Sequence, residues 1–67
     1  MTDHMTQDEM TEIYQELPYV RRGIERFGGG FMRGLAVAMQ SADIHNLRKI
    51  RNAWRHEWKQ YYEMGQK

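Results

Sequence analysis

Apolar residues recur three or four positions apart along most of this chain, the spacing of a helix face, and nowhere alternate long enough to suggest a strand. Met10, Ile13, Tyr14 and Leu17 mark a first helix. Ahead of it, Thr6-Gln7-Asp8-Glu9 has the form of a capping box. In such a box the Thr6 hydroxyl accepts from an unpaired backbone N–H, and Glu9 reaches back from the third helical position. Met5 and Met10 bracket it as a hydrophobic staple. Pro18 ends this helix, because the residue before a proline is pushed out of the α region. It opens a second helix, where its missing N–H is not needed. That helix, from residue 18 to about residue 27, offers Val20, Ile24 and Phe27 to a core. Gly28-Gly29-Gly30 stops it, one glycine taking the left-handed conformation that closes a helix.

A third helix, about residues 31–41, has a bulky face (Phe31, Met32, Leu35, Met39) and a ridge of small residues (Gly30, Gly34, Ala38, Ala42). The Gly34/Ala38 part of the ridge is expected to receive a large side chain, Trp54, from the last helix. Asp43 is the natural N-cap of that last helix, about residues 44–64. At 100° per residue, Leu47, Ile50, Trp54, Trp58 and Tyr61 fall within roughly 80° of one another. Such a rod is roughly 30 Å long, about twice its predecessors, so part of its aromatic stripe would overhang a monomeric bundle. The expected fold is all-α, three short helices and one long C-terminal helix. Residues 1–5 are expected to be loose, and residues 6–67 to form a single domain.

Composition sharpens this picture. Sixty-seven residues make one domain, and a core of that size seldom supplies more than about 3–5 kcal/mol. The chain has no cysteine, which excludes disulfide staples and thiolate metal sites. Two Trp, four Tyr and two Phe provide large bodies to bury. Helix packing and self-association are the staples left, so a homo-oligomer is expected.

The net charge of +1 hides an asymmetry. Residues 1–17 hold five acids and no Lys or Arg, whereas residues 18–67 hold all ten basic residues against four acids. Within these regions lie two rows at four-residue spacing: Asp8, Glu12, Glu16 and Arg51, Arg55, Lys59. Like charges so placed cost an isolated helix roughly 0.2–0.5 kcal/mol per pair. Each row therefore needs a partner of opposite sign, and the rows are expected to pair with each other, within one chain or between two. The longest uncharged stretch of the helical part, residues 34–42, is far short of the roughly 20 apolar residues of a membrane span. The acidic N-terminal region does not resemble the basic start of a signal peptide. The expected address is the cytoplasm.

Candidate chemistry is sparse. His56-Glu57 begins like a zinc-protease helix, but Gln60 stands where the second histidine belongs, and His4 and His45 have no matching ligand pair. The glycine run with Arg33 behind it could cradle an anion, yet no strand precedes it and no Gly-Lys-Ser/Thr follows. A hinge or helix stop suits it better. Ser41 is the only serine, and Glu57 and Glu63 flank no plausible pocket in so small a core. Neither enzymatic activity nor a metal, cofactor or small-molecule substrate is expected.

Two binding readings remain. Residues 46–59 carry five basic residues among aromatic ones. Arg48, Arg51, Asn52, Arg55 and Lys59 are types that contact phosphates or bases, so nucleic-acid binding through this edge is the alternative. A pI of about 8.1 is modest for that role. The first reading is protein binding, because Trp, Tyr, Met and Arg dominate interface hot spots. For Leu47 and Trp54 an ordinary core is favoured. Trp58, Tyr61 and Tyr62 fit core or interface equally, and with Met64 they are the interface candidates.

The segment Phe27-Gly28-Gly29-Gly30-Phe31-Met32-Arg33-Gly34-Leu35, then Asn46-Leu47-Arg48-Lys49-Ile50-Arg51-Asn52-Ala53-Trp54 with Trp58 and Tyr61 beyond, resembles short uncharacterised proteins of proteobacterial temperate phages and prophages. The resemblance spans about residues 14–64. Those proteins often place a proline after the first of these tryptophans. Arg55 stands there in this chain, which implies a more continuous last helix. The resemblance implies no activity and no site residue. It implies a small accessory protein, regulatory, inhibitory or structural, that binds a host or phage macromolecule in the host cytoplasm.

Overall fold

A computed structural model describes residues 5–67 as four helices: α1 (Gln7–Phe27), α2 (Gly30–Ser41), α3 (Ile44–Ala53) and α4 (Arg55–Gly65). Among the described residues there is no strand, as the spacing predicts. His4 and most of the N-terminal segment expected to be loose lie outside the described residues.

The order of long and short helices is the reverse of that expected. The long helix is N-terminal, 21 residues, and Pro18 lies inside it. A proline in a helix interior removes one backbone hydrogen bond and crowds the carbonyl four residues back, at a cost of about 3 kcal/mol. Here that carbonyl belongs to Tyr14. What outweighs the cost is the apolar seam. Ile13, Leu17, Val20 and Ile24 keep a four-three-four spacing straight through the proline, and Ile13, Val20 and Ile24 are fully buried. A break at residue 18 would throw half of this seam out of phase.

The C-terminal rod is not continuous either. Trp54, with φ −120° and ψ 50°, is both the C-cap of α3 and the N-cap of α4. Its own N–H still bonds the Ile50 carbonyl, and its carbonyl accepts from Trp58 N–H, so both flanking helices stay closed at the joint. Arg55 therefore does not bring the continuity expected of it. The bend tucks the tryptophan against Phe31 of α2, ring centroids 5.9 Å apart. Without a long rod there is no overhanging end.

Both side-chain caps read from the sequence are present. Thr6 Oγ1 accepts from Glu9 N–H at 3.1 Å, and Asp43 Oδ1 accepts from Asn46 N–H at 2.8 Å. The Glu9 carboxylate does not complete the capping box, since it is bonded to Arg48 on α3. The turn between α1 and α2 uses no left-handed glycine. Gly28 matters for its size instead, because a Cβ there would meet the Ile24 carbonyl at 2.7 Å and Met32 Cβ at 3.1 Å.

Contacts between α1 and the C-terminal half rise together along both segments: Glu9 with Arg48, Glu12 with Arg51, Glu16 with Trp58, Tyr19 with Tyr62. So α3 and α4 run parallel to α1, and α2 makes the return. The body measures 37 × 21 × 19 Å, close to the roughly 31 Å of α1 in its long dimension. The core is Ile13, Val20, Ile24, Met32, Met39, Leu47 and Trp58. Each such side chain contributes roughly 1.5–3 kcal/mol on full burial. Two glycines set the closest approach. A Cβ on Gly23 of α1 would run into the Tyr61 carbonyl, and one on Gly65 of α4 into that of Tyr19. The ridge expected to receive Trp54 does nothing of the kind, for Gly34 and Gly30 face open space. No helix among the described residues is long and apolar enough to cross a membrane.

Candidate partner-binding surface

The interface candidates of the last helix turn largely inward. Trp58 is 4% exposed and belongs to the core, with its indole N–H donating to Glu16 Oε1 at 2.8 Å. Tyr61 and Tyr62 pack partly buried against that core, Tyr62 edge-on to Tyr19 at 5.8 Å. Met64 is half-buried. These are the residues of the α1–α4 seam, so the overhanging aromatic surface read from the sequence is instead an intramolecular contact.

The basic edge is neutralised where it comes closest to α1. Arg48 Nε lies 3.1 Å from Glu9 Oε2. Arg51 bonds Glu12 through one nitrogen and stands 3.5 Å from Glu16 through another, leaving only 12% of its side chain exposed. The expected pairing of the rows is met only in part, within one chain, by Glu12 and Glu16 with Arg51, beside a Glu9–Arg48 pair one turn away; among the described residues Asp8, Arg55 and Lys59 form no ion pair. Farther out, Arg55 donates to the side chain of Asn52 at 2.9 Å, and Lys59 is exposed. A shallow groove of about 400 Å³ follows this seam past Glu16, Arg51, Trp58 and Lys59, with both signs of charge along it. Among the described residues no three His, Asp or Glu side chains converge where they could hold a metal.

The unsatisfied surface lies on the other side of the molecule. Helix α2 buries Met32 and Met39 and half-buries Leu35 and Ala36. Its exposed positions are Gly30, Phe31, Arg33, Gly34, Val37, Ala38, Gln40 and Ser41, of which only Arg33 is charged. Exposed helix faces are usually lined with Lys, Glu and Arg, and Arg33 is the only charged residue of α2. Val37 is 65% exposed, Phe31 65%, and Phe27 at the end of α1 61%. Phe31 leaves one side on Trp54 and turns the rest outward.

Beside this face stand arginines left without carboxylate partners. Residues 17–42 hold four arginines (21, 22, 26 and 33) against one glutamate, Glu25, a net of +3. Among the described residues Arg21, Arg22 and Arg26 form no ion pair. Arg33 donates to the Glu25 main-chain carbonyl at 3.5 Å, capping the last turn of α1. The sequence carries a signal for this surface. Around residues 30–41 apolar or small residues occupy every sector except that of Arg33 and Gln40, which is more than one buried stripe needs.

Comparison with protein-family models, with curated proteins and with solved structures finds no match for this chain.

Proposed function

We propose that this chain is a small non-enzymatic protein-binding module, and that it binds through the outward face of α2 with Phe27 and Phe31 at its edge. One observation carries the reading: a helix face whose only charge is Arg33, with Val37 and Phe31 each 65% exposed. Exposed apolar patches rimmed by polar residues are a mark of interaction sites. The flat run Gly30–Gly34–Ala38 would let a partner helix come close to the α2 backbone. Self-association through the same face is the homo-oligomeric form of this reading. Nucleic-acid binding along the C-terminal edge is the less favoured alternative, because Arg48 and Arg51, the most central of its cations, already hold glutamates.

The test places a photo-crosslinking residue at position 38 or, on the opposite side, at position 56, in protein captured from host lysate with nuclease present. The expected product is a defined polypeptide crosslinked from position 38 and not from 56, lost in Val37→Glu. That variant should keep its melt within about 0.5 kcal/mol, since the side chain faces solvent. Capture abolished by nuclease, or crosslinking from position 56 alone, would refute the assignment.

A further inference from the structure

The outward face of α2 adjoins a cleft of about 570 Å³, open along the angle between α1 and α2. Arg21, Arg22 and Arg33 form its cationic side, and Pro18, Ala36 and Val37 its apolar side. Val37 thus belongs both to the cleft and to the exposed face. We infer that cleft and face together take an acidic amphipathic helix of another protein, its apolar residues on α2 and its carboxylates on the arginines. This rests on the reading of α2 as a protein-binding surface and names the chemistry of what binds there.

Charge selects the occupant. Against α1's first half the fold supplies three glutamates of its own to Arg48 and Arg51. Around the cleft the only acid is Glu25, and nothing among the described residues pairs with Arg21 or Arg22. Guanidinium groups beside an apolar wall suit a partner's carboxylates, which they engage through two parallel hydrogen bonds. A second copy of this chain is a poor fit, because meeting through α2 would oppose two surfaces of net +3, each supplying one acid, Glu25, against four arginines. A nucleic acid would find phosphate partners in the arginines but none along Gly34, Val37, Ala38 and Ser41, where a helix finds a surface to lie on. Electrostatic complementarity of this kind favours encounter and fixes orientation, and it weakens with salt.

The experiment displays random peptides of about 16 residues, long enough for four helical turns, to the full chain, to the triple variant Arg21→Gln/Arg22→Gln/Arg33→Gln and to Val37→Glu. Enriched peptides are then titrated beside single-stranded and duplex DNA of similar length. Sequences retained by the wild type should combine Asp or Glu with apolar residues at helical spacing, and bind less tightly as salt rises. The triple variant should bind them at least about tenfold more weakly, with its melting curve unchanged. If the triple variant binds the same peptides within about twofold, the arginine assignment is wrong while the α2 reading stands. If binding survives Val37→Glu, the α2 reading falls and this one with it. Enrichment without acidic residues, no enrichment, or tighter binding of the DNA would each overturn the inference.

Discussion

Gly23 and Gly65 are the two positions at which a single added carbon should do most harm. Gly23 lies in a helix interior, where alanine is the better former by about 1 kcal/mol, so propensity alone favours that substitution, whereas Gly65 is the last residue of α4. Each also faces the main chain of the opposite helix, which cannot move aside as a flexible side chain can. Gly23→Ala and Gly65→Ala should each lower stability by about 1–3 kcal/mol through overpacking, read from urea denaturation midpoints. Gly34→Ala should do the reverse, raising it by about 0.5–1 kcal/mol, because nothing lies near a Cβ there. Equal effects at all three sites would show that the α1–α4 backbones are not in contact. Glycine's role was the feature least legible in the sequence. A ridge of four-spaced small residues at Gly30, Gly34 and Ala38 looks like a packing surface, whereas Gly23 and Gly65 are isolated and become meaningful only once α1 and α4 lie side by side.

At the scale of the element, Pro18 and Trp54 show how tertiary packing overrides local rules. The caps at Thr6 and Asp43 were readable because a cap is a contact within three residues. So was the seam, since Leu17 and Val20 are in phase across the proline. Which of seam and proline prevails depends on what the seam packs against, and no local pattern contains that. Pro18→Ala should therefore stabilise the protein by about 1–3 kcal/mol, returning a donor to the Tyr14 carbonyl and relieving the steric conflict. Hydrogen exchange checks it: the new residue-18 amide should be as well protected as its neighbours in α1. A drop in stability would mean that α1 needs its proline for shape. At the other end, the joint at Trp54 has no proline or glycine to announce it. What accompanies it is a contact with another helix, the Phe31 ring 5.9 Å from that of Trp54.

For the whole molecule, the division of charge matters more than its sum. One side carries an internal ladder of glutamates and arginines; the other carries arginines that form no ion pair among the described residues, around an apolar face. Two copies meeting through α2 would repel, so self-association should strengthen as salt screens the arginines, opposite in sign to the binding of an acidic partner. Sedimentation velocity at micromolar protein should give a mass near 8.1 kDa at about 50 mM salt, with any dimer growing toward about 500 mM. A dimer that is tightest at low salt and dissolved by Val37→Glu would hand the face to a second copy. The parallel arrangement of α1 with α3 and α4 also bears on how the protein is made. Helix α1 leaves the ribosome ahead of the segments it packs on: Glu9 and Glu12 find their arginines 39 residues later in the chain, and Tyr19 meets the backbone of Gly65 later still. Helices α2 and α3 cover part of α1's apolar seam, but the share that Trp58 and the α4 backbone close must wait until α4 has been synthesised, so any chain cut short before that helix leaves part of the seam for chaperones and proteases to find.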